Sequence, residues 1–410
     1  MKDTTILAPL HLPNEALLFD LDALYACLQT IPDHRDRRGV RYPLASLLMI
    51  GVLAKLAGQD SSRGMAHWAQ LRTHELSQLF HLKRECMPHS STWSRVLGQG
   101  VEPSEVEEIV GQFFRQATRT TRRKRGSIQL ALDGKTLRGT IPLGETEGVH
   151  LLAAYLPQQG VVLAQMNVEH KGREITFAPT LLRQIDLRGV VVSGDAMFDR
   201  RSLSSKIVQA HGDYLWTVKE NEKGFYQDIE VLFQPHRKQA GTSAPPMDFR
   251  RSSTVEKGHG RLDKRSIIVS SLLADYSDWP ELAQVFKLER QSTNALGITK
   301  TQVRYGVSSL PAHLADPKRL LELTRGHWGI ENGLHYRRDV TFHEDHAQLR
   351  MGHAPEMLAV LNNIVLGLFA RQGETNMAHA RRDFAYHLVK VLARIHRQHA
   401  GMQTAICSLM

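Results

Sequence analysis

Three acidic residues far apart in the sequence could together hold divalent cations. Asp133 ends an alternating apolar segment, Asp195 follows a short apolar segment, and Glu331 lies in a helical segment. Carboxylates suit Mg²⁺, and two such ions can activate a water or a 3′-hydroxyl and stabilise the leaving oxygen of a phosphodiester. A single Asp at the end of a strand more often caps a turn. The prediction therefore depends on all three acids meeting.

Basic and imidazole side chains accompany Glu331 at helical spacing. The residues that share one face of the predicted helix are His327, Glu331, His335 and Arg338. One acid among such groups suits phosphate handling, although an exposed polar helix face is the alternative. Gly329 and Gly333 each cost a helix up to about 1 kcal/mol. They indicate that another segment approaches this helix closely.

The segment that carries the two aspartates alternates between strands and helices. Strands are predicted at 128–133, 150–156, 161–168, 189–192 and 214–218, and helices at 176–185 and 201–210. The order β-β-β-α-β-α-β is that of an α/β, ribonuclease-H-like core. If the first and fourth strands are parallel neighbours, Asp133 and Asp195 emerge at the same edge of the sheet.

Residues 1–115 are predicted to be helical. The segment 44–57 is apolar nearly all round, which is typical of a buried helix. Ser61 or Ser62, and Ser90 or Ser91, are predicted N-caps, and Ser104 with Glu107 forms a predicted capping box. A DNA-binding domain of the helix-turn-helix type and a plain helical bundle fit this pattern equally well.

A basic run separates the helical region from the strands. It contains six cations and no acid: Arg115, Arg119, Arg122, Arg123, Lys124 and Arg125. The run could clamp DNA phosphates, which would make binding depend on salt, or it could be a solvated linker. We take 116–126 as a basic linker between the helical domain and the core.

Composition favours a polyanionic partner. With 52 Lys and Arg against 42 Asp and Glu, the net charge is +10, as expected of a protein that binds nucleic acid. No apolar run approaches the roughly 18 residues of a membrane span, and the chain begins without an export signal. Three scattered cysteines indicate reduced thiols, so we expect a cytoplasmic protein that associates with the nucleoid when bound to DNA.

Two other kinds of site are disfavoured. The Gly134-Lys135-Thr136 sequence resembles the end of a phosphate-binding loop, but position 129 is Gln where that loop needs Gly. We therefore expect no nucleotide cofactor. The histidines near Glu331 lack the His-Glu-x-x-His spacing of a zinc enzyme.

Five short motifs together resemble the H-repeat-type transposases of bacterial insertion sequences, a group within the DDE superfamily. They are Asp-Gly-Lys-Thr-Leu-Arg-Gly at 133–139, Gly-Asp-Ala at 194–196, Val-Lys-Glu-Asn at 218–221, Glu-Lys-Gly-His-Gly-Arg at 256–261 and His-Trp-Gly-Ile-Glu-Asn-Gly-Leu-His at 327–335. The resemblance runs from about Asp33 to the apolar helix at 357–369. Related cut-and-paste families carry Tyr-Arg-Glu-Lys around the last acid, where this chain has Thr324, His327, Glu331 and Arg338.

The resemblance implies that Asp133, Asp195 and Glu331 are the catalytic triad and hold two Mg²⁺ or Mn²⁺ ions. It also implies a ribonuclease-H-like core in two parts, 127–221 and 313–410, with a β-rich insertion at 222–312 between them. DNA contacts are expected from Arg122, Arg123, Lys124, Lys135, Lys219, His259, Arg261, His327 and Arg338.

The implied activity is DNA transposition. The protein would bind the ends of its element, cleave them and join the 3′ ends to target DNA, acting as a homodimer on DNA. Two alternatives remain open at the level of sequence: a catalytically inactive DNA-binding protein derived from a transposase, and a metal-dependent nuclease of the same fold.

Overall fold

The computed structural model describes residues 15–117, 124–219, 223–234, 248–258 and 260–388. Three residues of the predicted DNA interface, Arg122, Arg123 and His259, lie outside these ranges. None of the helices in the described part of the chain is long and apolar enough to span a membrane.

Six helices precede the sheet. They are α1 (Glu15–Leu28), α2 (Leu44–Leu56), α3 (Ser62–Gln70), α4 (Thr73–Leu79), α5 (Ser90–Gln99) and α6 (Pro103–Ala117). Every residue of α2 is buried, as its apolar sequence predicts. Ser61 is the N-cap of α3, because its hydroxyl accepts the Gly64 N–H at 3.0 Å.

Two of the predicted caps are wrong. The N-cap of α5 is His89, whose Nδ1 accepts the Ser91 N–H at 3.3 Å, so Ser90 and Ser91 are already helical. Glu107 closes no capping box, because its carboxylate instead accepts a hydrogen bond from Gln165 at 2.8 Å and is buried. In this second case Glu107 has a partner far away in the sequence, Gln165, instead of the predicted local partner Ser104.

The first five strands form the predicted core. They are β1 (Ile128–Thr136), β2 (His150–Leu156), β3 (Val161–Val168), β4 (Val190–Gly194) and β5 (Asp213–Val218), with α7 (Glu174–Leu182) and α8 (Arg201–Gln209) between them. Their order in the sheet is β3-β2-β1-β4-β5. β2 and β3 form the predicted antiparallel hairpin, and β1 is parallel to β4. This is the α/β, ribonuclease-H-like arrangement.

The β-rich segment after β5 extends the same sheet. It contains α9 (Lys223–Leu232), β6 (Arg250–Gly258), β7 (Arg261–Ser270), β8 (Gln284–Asn294) and β9 (Thr299–Ser308). β9 pairs antiparallel with β5, and β8, β7 and β6 follow outward, which gives a nine-stranded sheet. The insertion is therefore continuous with the core through backbone hydrogen bonds.

The C-terminal part returns to the sheet as helices. They are α10 (Pro317–His327), α11 (Tyr336–Val340) and α12 (Ala354–Arg371), followed by a helix over 377–388. Asp316 caps α10 by accepting the Arg319 N–H at 2.7 Å. α10 packs across β1, β4, β6 and β7, and so spans the junction of core and insertion.

The N-terminal helices share a hydrophobic core with the sheet. α6 packs on β3, and α12 contacts α2, α5, α6 and β3. One buried cluster consequently runs from Leu17 in α1, through Leu132 in β1, to Phe369 in α12. Burial of this shared apolar surface fixes the helical region against the sheet.

Candidate active site

The two aspartates emerge together beyond the β1–β4 ladder. The ladder ends where Ala131 pairs with Ser193, so Asp133 and Asp195 each lie two residues past the same pair. A backbone N–H close in sequence donates to each carboxylate at 2.9 Å. Asp195 directly follows β4 as predicted, whereas Asp133 lies inside β1, which continues to Thr136 beside β2 instead of ending at 133. The two backbone bonds orient both carboxylates beyond the same end of the β1–β4 pair.

Glu331 reaches this edge from a π-helical turn. The turn covers Glu331–His335, and the carbonyl of Glu331 accepts the Tyr336 N–H. Such turns interrupt an α-helix and are frequent at functional sites. The sequence predicted a continuous helix face here, and the structure corrects this prediction.

The glycines of this region lie against the β2–β3 hairpin. A Cβ at position 333 would lie 2.5 Å from the hydroxyl oxygen of Tyr155, and one at position 329 would lie 3.0 Å from Cβ of Pro157. The glycines were predicted to permit close approach of a backbone, and the structure instead places the side chains of Tyr155 and Pro157 against them. This contact lets the π turn rest directly on the hairpin.

The three acids line one cleft of about 230 Å³. The other residues of its wall are Ala196, Thr217, Lys219, Arg304, His327 and Trp328. The Asp133 side chain is 20% exposed and that of Glu331 57% exposed. The structure thus brings together carboxylates separated by almost two hundred positions.

His335 lies beneath this cluster of carboxylates. Its Nδ1 is 3.5 Å from Oδ2 of Asp133 and 3.6 Å from Oε2 of Glu331. The side chain is buried, and its Nε2 has no hydrogen-bond partner among the described residues. Asp133, Glu331 and His335 can together present three donor atoms within 4.8 Å of one another.

The acids and histidines of the site have shifted pKa values. Burial, followed by the neighbouring carboxylates of Glu331 and Asp195, raises the pKa of Asp133 to about 8. His335 lowers the pKa of Glu331. Burial lowers the pKa of His327 to about 4 and also lowers that of His335. At neutral pH the imidazoles are therefore neutral and Asp133 retains a proton.

This donor set fits a divalent cation. The carboxylates converge on a cleft that is open to solvent, and Mg²⁺ keeps several waters in addition to one or two protein carboxylates. Burial and the neighbouring carboxylates hold the proton on Asp133, and the positive charge of a cation would favour its release. Asp133, Asp195 and Glu331 are the residues that could hold it.

Arginines that the sequence analysis missed line the neighbouring surface. A second cleft of about 370 Å³ contains Arg261, Arg265, Arg290, Arg304, Arg325 and Trp328. Only Arg261 was predicted. The others lie on three different strands and on α10, and they meet because β7, β8 and β9 are in register. The cations are three residues apart in β8 (Lys287 and Arg290) and four apart in β9 (Lys300 and Arg304), so neither strand carries an alternating basic pattern that would have predicted this cleft.

Arg304 connects the cavities of this surface. It lines the 230 Å³ cleft with the acids, the 370 Å³ arginine cleft and a third cavity of about 690 Å³. The third cavity also contains Asp195, Lys219 and Tyr226. The acids therefore border a longer depression, which we call the basic depression. Asp263 and Glu256 pair with four of its arginines, Arg261, Arg265, Arg290 and Arg325.

Two predicted DNA contacts are contradicted by burial. Nζ of Lys135 is 2.6 Å from Asp339 and 3.3 Å from Asp345, with 8% of the side chain exposed. Arg338 is 0% exposed, and it donates from Nε to Glu344 at 2.8 Å and from Nη1 to Gln165 at 2.9 Å. Both cations are neutralised inside the protein, so they support the helix next to the site instead of reaching a DNA strand.

The remaining predicted contacts that the structure describes lie at the surface or at the cleft. Lys124, Lys219 and Arg261 are exposed, and His327 is half-buried in the wall of the cleft. Part of the basic run is tied down, because Arg125 donates two hydrogen bonds to Asp213 at 2.9 and 3.0 Å. Trp328 is 47% exposed.

Comparison with known protein families identifies the class of protein to which this fold and this group of acids belong. A family model described as Transposase DDE domain matches residues 124–368, and one described as DDE_Tnp_1-associated matches residues 25–114. The first match covers more than half of the chain. The chain belongs to the DDE transposase family.

Curated relatives extend over most of the chain. "Putative transposase YncI" of Escherichia coli O157:H7 is 29% identical over 363 residues, which are 85% of this chain and 87% of that protein. "H repeat-associated putative transposase YhhI" of Escherichia coli strain K12 is 27% identical over 357 residues, 85% of this chain and 90% of that protein.

Among solved structures, a cryo-EM structure of the piggyBac transposase synaptic complex with hairpin DNA is similar. The TM-score is 0.42 at 12% identity, over 95% of this chain and 80% of that one. A likeness this distant carries no argument about the present site.

Proposed function

We propose that this protein is an active DNA transposase that binds the ends of its element, cleaves them with divalent cations and joins the 3′ ends to target DNA. The observation that carries the proposal is that Asp133, Asp195 and Glu331 line one cleft. We propose that the protein acts on DNA in the cytoplasm, at the nucleoid.

Mg²⁺, or Mn²⁺ in its place, would be held by the three carboxylates, with two ions expected. Such ions lower the pKa of a bound water and stabilise charge on the leaving oxygen, so no protein general base is needed. The chain's own part is to hold its carboxylates still. The backbone bonds at Asp133 and Asp195 serve this purpose, as does the packing of the π turn on the hairpin.

The DNA strand would follow the basic depression around Arg304. Lys219 and Arg261 are exposed along it and offer cations to phosphates. His327 is neutral near pH 7 and can form a hydrogen bond to the strand at the cleft. Exposed Trp328 offers a face on which an unpaired base can stack.

Two protomers are proposed on DNA, since two element ends must be cut and joined in one event. Mass measurement of the protein with end DNA would give two chains for each pair of ends. A single chain bound to paired ends would contradict this part of the proposal.

A cleavage assay with element-end DNA and Mg²⁺ or Mn²⁺ tests the function. We expect nicked ends and joined products from the wild type, and neither from Asp133→Asn, which keeps end binding within a few fold. Asp186→Asn is the control, because Asp186 is an exposed partner of Arg188 away from the cleft. Cuts without joined products would indicate a nuclease, and binding without cuts an inactive derivative.

A further inference from the structure

We propose that His335 is a nitrogen ligand of one of the cations, so that this ion is held by Asp133, Glu331 and His335 and has a mixed oxygen and nitrogen donor set. The inference rests on the proposed function and deepens it. It assigns a metal-binding role to a residue outside the three acids.

The distances around His335 suit shared coordination better than hydrogen bonding. Its Nδ1 is 3.5 Å from Asp133 and 3.6 Å from Glu331, and a separation of 3.6 Å is too long for a hydrogen bond. Ligands about 2.0–2.2 Å from one ion lie roughly 3.0–3.5 Å apart from each other. The ring nitrogen is close to this spacing from both carboxylate oxygens, and all three atoms lie within 4.8 Å of one another.

Burial indicates that the imidazole is not simply a surface group. The side chain is 8% exposed, whereas that of Glu331 is 57% exposed. The far nitrogen, Nε2, is buried without a partner in the described part of the chain. The two carboxylates are therefore the polar groups that the ring faces, and it faces them with Nδ1.

The π turn positions both helical donors. Glu331 and His335 are its first and last residues, and Gly333 between them rests on Tyr155. The turn therefore presents one exposed donor, Glu331, in the wall of the cleft and one buried donor, His335, behind it. The carboxylate of Asp133 from the sheet meets both of them.

A nitrogen donor changes which ion is preferred. Imidazole suits transition metals, while carboxylate and water suit Mg²⁺, and affinity rises along the divalent series from Mn²⁺. The site should thus bind Mn²⁺ more tightly than Mg²⁺, and replacing His335 by Gln should weaken Mn²⁺ binding about tenfold or more and Mg²⁺ binding less.

Pulsed electron paramagnetic resonance on the full-length protein with one equivalent of Mn²⁺ tests the ligand directly. We expect coupling of the bound ion to a ¹⁴N nucleus in the wild type, which changes on ¹⁵N-histidine labelling and is lost in His335→Gln. His327→Gln is the matched control. It removes the other histidine of the same cleft and should leave the coupling intact.

The outcomes separate the inference from the function on which it rests. Mn²⁺ that binds the wild type and is lost in Asp133→Asn, but shows no histidine nitrogen coupling, overturns the ligand role of His335 and leaves the proposed function standing. Mn²⁺ binding that does not depend on Asp133 overturns both. If His335→Gln does not fold, the isotope experiment is made on His327→Gln: a histidine coupling that persists there supports His335, and one that is lost overturns the inference.

Discussion

The guanidinium of Arg304 lies over the indole ring of Trp328, with its carbon 4.8 Å from the ring centroid. Arg304 comes from β9 and Trp328 follows α10, so the pair joins the insertion to the segment that carries Glu331. Both residues line the cleft of the acids and the arginine cleft. The stacked pair therefore stands where a DNA strand would enter the site.

Replacing Arg304 with Ala should weaken binding of element-end DNA and reduce its salt dependence. A lost phosphate contact lowers the slope of log K against log salt by about one. Fluorescence anisotropy between low and moderate salt measures both quantities. Arg188→Ala, which removes an exposed arginine paired with Asp186, should leave the slope unchanged. Equal slopes for Arg304→Ala and the wild type would contradict the proposed DNA path.

Replacing Asp133 with Asn should stabilise the cation-free protein at pH 8 but not at pH 5. The pKa of Asp133 is raised from 3.8 to about 8 on folding. The folded state holds that proton more tightly than the unfolded chain, so its stability falls as the pH rises through this window. Asp133→Asn has no carboxyl group here and does not lose this stability. We therefore expect its free energy of unfolding, relative to that of the wild type, to be about 1–3 kcal/mol more favourable at pH 8 than at pH 5.

Urea unfolding in a chelator at both pH values measures this gain, with Asp186→Asn as the control. Adding Mn²⁺ should then stabilise the wild type more than Asp133→Asn. If the difference between the two proteins is the same at pH 5 and pH 8, the raised pKa assigned to Asp133 is wrong.

Replacing Gly333 with Ala should disturb the π turn. The new Cβ would lie 2.5 Å from the Tyr155 hydroxyl oxygen, and overpacking of this kind costs about 1–3 kcal/mol. The double variant Gly333→Ala with Tyr155→Phe should recover part of that loss. Gly39→Ala is the control, since a Cβ at 39 meets nothing within 4 Å. Thermal unfolding that finds no recovery in the double variant would refute this account of the turn.

Replacing Arg338 with Met should destabilise the protein by about 3–5 kcal/mol, because Glu344 would be left buried and unpaired. Combining it with Glu344→Gln should restore part of the stability. DNA affinity of the folded double variant should stay near that of the wild type, since Arg338 is fully buried. If the double variant is stable but binds DNA much more weakly than the wild type, Arg338 contacts DNA after all.

The core strands and their acids could be predicted because the information is local. Alternating apolar residues mark β1, and short apolar runs mark β2 to β5. The chain order of these elements indicated which strands are neighbours. Asp133 and Asp195 then followed from their positions at the ends of the paired segments. Glu331 was predicted from the bases around it and from the family resemblance.

The features that were missed depend on partners far away in the sequence. The burial of Lys135 is decided by Asp339 and Asp345, and that of Arg338 by Gln165 and Glu344. These contacts cannot be predicted from the spacing of residues along a single helix. The π turn likewise depends on the Tyr155 hydroxyl against Gly333, and the arginine cleft depends on strand register within the insertion.

The most direct test of the account is the single-turnover rate of element-end cleavage in Mg²⁺ for Asp133→Asn, Asp195→Asn and Glu331→Gln. Each should fall by roughly a thousandfold or more, because several kcal/mol of transition-state stabilisation are lost, while end binding stays within a few fold of wild type. A folded variant of any of the three that cleaves at the rate of Asp186→Asn would contradict a single site built from these acids.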